Sequence, residues 1–317
     1  RTRNSHRHWT STWGPNHGHF AQLKRIEVSA DQAGSSHWIT FHTPQTVGAL
    51  PPSQDVTYVG YVAPRDFLST VKAAIRVFPL LRSRKFDLAI STGSALAAAV
   101  LPLARTLGIR SIYVESIART KGPSLTGRLM AFTPGVETYT QYRSWSDSRW
   151  NFVGSVLDTW TAASTNSAEI IDRPLKIFVT LGTIKPYRFD RLIEALLSVT
   201  GPNDRITWQV GCTDRDDLQG ISQEQVSPSQ FEQYVREADV VVTHAGVGTI
   251  LQMLDLGSMP VVAPRSKMHS EHVDDHQHLI TTELSTRGLS ETFDLDAPQR
   301  TTLLRAAAAA INRRENQ

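Results

Sequence analysis

Val240-Val241-Val242-Thr243-His244-Ala245-Gly246-Val247-Gly248-Thr249 runs from an apolar, β-branched stretch into a glycine-rich turn. The spacing of apolar residues from Val247 to Leu256 then becomes helical. Glycine lets the backbone approach a ligand closely. The exposed N–H groups and the dipole at a helix N-terminus favour a diphosphate. A tight strand-to-helix turn that needs glycine only for packing fits the same residues.

Upstream, Phe178-Val179-Thr180-Leu181-Gly182-Thr183 repeats the pattern, a strand leaving through a Gly-Thr turn. In an open α/β sheet, loops at the carboxyl ends of strands surround the ligand crevice, so two such loops in one domain point to a phosphate pocket. Around them, strands are expected at Lys176–Leu181, Ile206–Val210, Val240–Thr243 and Pro260–Ala263. Helices are expected at Asp190–Leu197, Phe231–Glu237, Val247–Leu256 and Leu303–Asn312. The N-terminal half shows the same alternation. Its strands are Trp38–Thr43, Val56–Val59, Leu88–Ser91 and Ser111–Val114, and its helices are Asp66–Arg84 and Ala95–Leu107. This order implies α/β domains with parallel sheets covered by helices. Residues 1–155 form one domain, 175–317 a second, and the Ser/Thr-rich stretch 156–174 a linker. The segment before Gly18 is too polar for the apolar strand that should open a doubly wound domain, so either that strand is expected to be missing or the segment is a tag, a truncation or an unusual extension.

A chain of 317 residues is long enough for two cores. With 40% hydrophobic and 20% charged residues it reads as a soluble globular protein and not as a disordered one. The net charge of +3 is too small to imply nucleic acid. Cys212 is the only cysteine, so no intramolecular disulfide can form and a cytoplasmic location is expected. No apolar run approaches the roughly 18 residues of a membrane span, and Arg1–Trp13 lacks the apolar core of an export signal.

Other candidate groups lie outside the glycine turns. In His17-Gly18-His19, a turn into a helix could place His19 as a base toward an attacking hydroxyl, an imidazole near pKa 6.5 being suited to that task. Glu115 follows the strand Ser111–Val114 and could orient an acceptor or act as a base. It could equally pair with Arg119 or cap the next turn. Asp275, His276 and Gln277 at a polar helix start offer hydrogen bonds to sugar hydroxyls, or form a solvated face. Glu271 precedes His272, so no His-Glu-x-x-His pattern exists and no metal site is assigned. Asp214-Arg215-Asp216 reads as a solvated loop. The helix Asp66–Arg84 mixes Phe67, Leu68, Val71, Ile75 and Phe78 with Lys72, Arg76, Arg82 and Arg84. It could either seat the chain on an anionic membrane or pack on its own sheet.

In combination these segments resemble glycosyltransferase family 28. Val179-Thr180-Leu181-Gly182-Thr183, Phe189-Asp190-Arg191-Leu192-Ile193, His244 to Thr249 and Asp275-His276-Gln277 are similar to the catalytic subunit that adds the second N-acetylglucosamine to dolichol-linked sugar. Gly18-His19, Ser91-Thr92-Gly93-Ser94, Glu115 to Arg119 and Ser124 to Arg128 resemble its membrane-recruiting partner subunit, here fused in front. Bacterial capsule and exopolysaccharide enzymes show the same two parts. The resemblance implies a GT-B fold, two Rossmann-like domains whose parallel sheets face a central cleft. It also implies inverting transfer from a UDP-sugar to a polyprenyl-diphosphate-linked acceptor, with no essential metal or other cofactor, and peripheral contact with the inner membrane leaflet. Carried over residue by residue, Gly182, Thr183, His244, Ala245, Gly246, Gly248 and Thr249 hold the nucleotide, Asp275, His276 and Gln277 face the sugar, and His19 is the base. Gln252 stands where the family commonly has a Glu on the ribose, and His17 where it has a Gly. A non-hydrolysing UDP-sugar epimerase and a non-catalytic sugar-nucleotide-binding module are the competing readings. A dinucleotide oxidoreductase is disfavoured, because no Gly-x-Gly-x-x-Gly follows an opening strand.

Overall fold

In the computed structural model the described residues are 8–12, 19, 21–23, 25, 36–42, 53–60, 62, 66–84, 86–163, 173–183, 185–272 and 276–314. They divide into two compact units, Arg1–Val156 and Leu157–Gln317.

The first unit is built from β1 (His8–Thr12), β2 (Ser36–Phe41), β3 (Asp55–Val59), α1 (Phe67–Ser83), β4 (Phe86–Ser91), α2 (Ala95–Thr106), β5 (Arg110–Val114), α3 (Leu125–Phe132), β6 (Val136–Thr140) and β7 (Trp150–Phe152). All its strand pairs are parallel, in the order β3-β2-β1-β4-β5-β6-β7. The opening strand expected to be missing is therefore present. β1 sits inside the sheet, with Trp9 opposite Ser36 on one side and Leu88 on the other. Hydrogen bonds to two neighbouring backbones make this strand, and they do not require apolar side chains. Trp9, Thr10 and Thr12 were the local signal, since aromatic and β-branched residues favour extended backbone.

The core of this unit joins Ile39, Ala89 and Tyr113 of the sheet to Val77 and Leu81 of α1, Leu96 and Val100 of α2, and Met130 of α3. Each large apolar side chain so buried is worth about 1.5–3 kcal/mol. Asp66 starts α1 by accepting a hydrogen bond from the Ser69 N–H at 3.0 Å.

The second unit contains β8 (Trp160–Ala162), β9 (Lys176–Thr180), α4 (Asp190–Leu197), β10 (Arg205–Gln209), β11 (Ile221–Gln223), α5 (Pro228–Glu237), β12 (Val240–His244), α6 (Val247–Asp255), β13 (Pro260–Ala263), α7 (His276–Thr286), β14 (Glu291–Thr292), α8 (Arg300–Ala308) and β15 (Ile311–Arg313). Its parallel sheet runs β11-β10-β9-β12-β13-β14. Phe178 of β9 meets Phe231 of α5 edge-on at 5.6 Å, beside Val235, Val241 and Met253. Ser227 and Gln230 form a reciprocal capping box at the start of α5, with Pro228 in its first turn.

Two expectations are revised here. The helix foreseen over Leu303–Asn312 spans Arg300–Ala308 instead, and Ile311–Arg313 leaves it as β15. β15 pairs antiparallel with β8, so the beginning of the stretch 156–174 is structured, with Trp160 fully buried. Residues 164–172 of that stretch lie outside the described residues.

Candidate functional site

In both sheets the strand order reverses beside the first long strand. β1 has β2 on one side and β4 on the other, and β9 has β10 and β12. At such a switch point the loops leave in opposite directions and open a crevice at the carboxyl ends of the strands.

At the β9/β12 crevice, Gly182 adopts φ +80°, a left-handed backbone that side chains disfavour. The His244 imidazole lies against both Gly182 and Gly246, so a Cβ on either glycine would collide with the ring. His244 is buried, and its neighbour Thr243 places Oγ1 3.5 Å from Nδ1. Gly246 begins α6 with no side-chain cap. The first N–H groups of that helix, at Val247, Gly248 and Thr249, therefore point out of the turn without a side-chain acceptor from it. Gly182, His244, Gly246, Gly248 and Thr249 are thus gathered at one place, with Thr183 directly after Gly182. Gln252 is half-buried one turn along α6 from Thr249.

Ala245 and Gln277 come together in a different way from the one expected. The Ala245 N–H donates to Gln277 Oε1 at 3.2 Å, and the Arg265 N–H donates to the same oxygen at 2.9 Å. Gln277 is buried and braces the β12 and β13 loops, so this oxygen is not directed at a sugar. The Ala245 N–H is likewise taken. Asp275 lies outside the described residues, and His276 is described only as the first residue of α7.

Arg265 was missed by the sequence reading. It follows β13 and is fully buried. Nη1 donates to the carbonyls of Tyr187 at 2.8 Å and Glu271 at 2.9 Å, and Nη2 to that of Leu181 at 2.5 Å. The guanidinium also stands 4.9 Å from the Phe189 ring. Cys212 Sγ shares the Tyr187 carbonyl at 3.0 Å. An Arg two residues past the apolar strand Pro260–Ala263 was the available signal, because charge so close to a buried strand has a reason to be there.

At the β1/β4 crevice, residues 19, 21–23 and 25 are helical. The Thr92 hydroxyl donates to the His19 carbonyl at 2.8 Å, and the His19 ring packs on Gly93, which has φ +136°. His19 Nδ1 is buried and has no hydrogen-bond partner among the described residues. Burial pushes the His19 pKa down to about 4. The Thr92 backbone opposes that shift and the Arg119 charge reinforces it. The ring is neutral at physiological pH, with a free lone pair but a weaker hold on a proton than a solvated imidazole has. Gly18 and His17 lie outside the described residues.

Of the roles open to Glu115, the hydrogen bonds match the capping of the next turn. Its carboxylate is fully buried and accepts from Tyr113 Oη at 3.2 Å, the Ser116 N–H at 3.1 Å, the Ser124 N–H at 2.8 Å and Ser124 Oγ at 3.0 Å. It anchors the loop between β5 and α3. Burial pushes its pKa up, against these hydrogen bonds. Beside it, Gln22 bonds to Ser116 Oγ, the Ile117 N–H and Gln141 Nε2 at 2.9–3.2 Å. This network fixes the loop that faces His19's helix, and Gln22 and Gln141 were not singled out from the sequence.

Comparison with known families gives a match over part of the chain. Residues 177–296 match the glycosyltransferase family 28 C-terminal domain. Both glycine turns, Arg265 and Gln277 fall inside the matched stretch. No curated protein sequence matches the chain. Among solved structures, MurG of Acinetobacter baumannii is similar with a TM-score of 0.58 at 17% identity, over 95% of this chain and 94% of that one. Arabidopsis thaliana UGT89C1, solved in complex with UDP-L-rhamnose, gives 0.58 at 15% identity over 95% and 89%. The UDP-GlcNAc 2-epimerase of Methanocaldococcus jannaschii gives 0.56 at 13% identity over 94% and 91%. These likenesses establish the GT-B fold. A transferase and an epimerase share it, and the family 28 match falls on the transferase side.

Proposed function

We propose that the chain is an inverting UDP-sugar glycosyltransferase that delivers its sugar to a lipid-linked saccharide acceptor in polysaccharide synthesis. The observation that carries this reading is the pair of glycine turns around His244, at the β9/β12 switch point of the family 28 domain. The α6 N-terminus is suited to the diphosphate of the donor, and Gln252 to its ribose. In the transfer, the acceptor oxygen bonds to the anomeric carbon while the bond from that carbon to the diphosphate oxygen breaks. The electron pair leaves with UDP, and His19 takes the acceptor proton. Charge grows on the diphosphate as the bond breaks, and fixed N–H donors at Gly248 and Thr249 stabilise it without reorganising. The reading calls for no metal.

A thermal-shift panel tests the donor. UDP and UDP-sugars are expected to raise the melting temperature by mass action, and adenosine and guanosine nucleotides to leave it unchanged. No shift with any uridine nucleotide would overturn the reading. Conversion of UDP-sugar alone into its epimer would replace it with the epimerase, and UDP binding without transfer to any polyprenyl-diphosphate saccharide would replace it with a binding module.

Among the described residues no helix is long and apolar enough to cross a membrane. Access to a lipid-linked acceptor is proposed to come through α1 and α3. α1 turns Ala73, Val77 and Leu81 inward and leaves Phe67, Leu68 and Ile75 about 70% exposed. α3 exposes Leu125, Leu129 and Phe132, the last at 87%. Lys72, Arg76, Arg82 and Arg128 are exposed on the same two helices. Basic residues near anionic lipid contribute about 1 kcal/mol each. The protein is therefore expected to float with vesicles containing anionic phospholipid and not with purely zwitterionic ones. Its absence from both fractions would remove the membrane contact.

A further inference from the structure

Arg265 is a buried cation whose charge is favoured only at a distance by the Glu271 carboxylate and Cys212 among the described residues. Among the described residues no carboxylate pairs with it. Its acceptors are the neutral carbonyls of Leu181, Tyr187, Arg188 and Glu271, and its Nε is buried with no partner among the described residues. The nearby Glu271 carboxylate is held by Arg191 Nε at 2.9 Å and by the Ser266 N–H at 2.9 Å. Burial pushes the Arg265 pKa down to about 10, which leaves the group charged at neutral pH. Burying an unneutralised charge is costly, and apolar residues of the same volume often serve a core better. A purely structural strut does not need the charge.

The position of Arg265 suggests what does. Leu181, whose carbonyl it holds, precedes Gly182. The Arg265 N–H shares Gln277 Oε1 with the N–H of Ala245, the residue before Gly246. The Arg265 side chain thus holds the turn after β9, and its backbone N–H meets the turn after β12 through Gln277 Oε1. We propose that Arg265 is the positioning residue of the donor site: it fixes the turn after β9 and, without touching the nucleotide, supplies the positive field that the donor diphosphate completes. This rests on the donor reading above and adds to it the group that makes the site selective for the charged part of the nucleotide.

The test compares Arg265→Gln and Arg265→Lys with the unsubstituted protein, titrated with UDP and with uridine. Both substitutions keep hydrogen-bond donors, and only Lys keeps the charge. Arg265→Gln is expected to lower UDP affinity about tenfold or more while uridine affinity stays within about twofold, the charge acting on the phosphates alone. Arg265→Lys is expected to restore the UDP-to-uridine ratio. Parallel loss of both ligands in both variants, or unchanged UDP affinity in Arg265→Gln, would refute the proposal and leave the donor reading standing. An unsubstituted protein that binds neither UDP nor uridine would refute both. Should Arg265→Gln not fold by circular dichroism, Arg265→Lys decides alone. A wild-type ratio supports the role of the charge, and a collapsed ratio overturns it.

Discussion

Gly182→Ala is expected to weaken UDP binding by about tenfold or more while the parallel sheet of the second unit stays folded. Two effects add at this position. The backbone is left-handed at φ +80°, which costs a residue with a Cβ roughly 1–2 kcal/mol. The new methyl group would also stand on the His244 imidazole, where overpacking typically costs about 1–3 kcal/mol. The ring cannot simply retreat, because it also touches Gly246. The strain is relieved by moving the turn after β9 or the turn after β12, and both are parts of the proposed socket. Each 1.4 kcal/mol lost from the bound state is about tenfold in affinity. Calorimetry with UDP reads the loss directly, and circular dichroism checks the fold. Wild-type affinity in this variant would mean that the donor does not use the turn at 182.

His19→Ala is expected to lower turnover by about 10²–10⁴-fold, the usual contribution of a positioned base. UDP affinity should stay at the wild-type value, because the donor loops belong to the other unit. The pH profile adds a separate check. A base works in its unprotonated form, so the rate falls as pH drops through its pKa. Burial has moved that pKa from the ordinary 6.5 down to about 4. The wild-type rate is therefore expected to hold level through neutral pH and to decline only near pH 4, and the variant is expected to lose that limb. Full turnover in His19→Ala would remove the residue from the chemistry. A limb near pH 6.5 would show that the working base is a solvated group and not this packed ring.

Much of the architecture was legible because it is local. Apolar runs ending in glycine, such as Val240 to Gly246, encode a strand and its turn within ten residues, and the helical spacing that follows is equally self-contained. The elements that were not foreseen depend on partners far along the chain. β1 is polar and is held by β2 and β4, and β15 is held by β8 about 150 residues earlier in sequence. α3 and β6 were passed over as well, although Ser124 caps α3 and Glu115 ties that cap to β5. The site divides in the same way. The glycines and His244 could be named from their motif. The work of Gln277, Gln22 and Arg265 is to join loops from different strands, and no spacing in the sequence records such a junction. Glu115 was named for its place at a strand end, and that place alone could not separate a base from an anchor.

The contact between Gly246 and His244 differs in kind from the one at Gly182. Gly246 has φ −79°, which any amino acid adopts, so the backbone permits a side chain there and the nearest obstacle to one is the neighbouring ring. The two positions are therefore yoked: a chain that shrinks residue 244 releases residue 246 to become alanine or serine, whereas one that keeps the imidazole has no such freedom. Drift at this turn must proceed in that order, and Gly246→Ala on its own should be poorly tolerated yet recover when His244→Ala accompanies it.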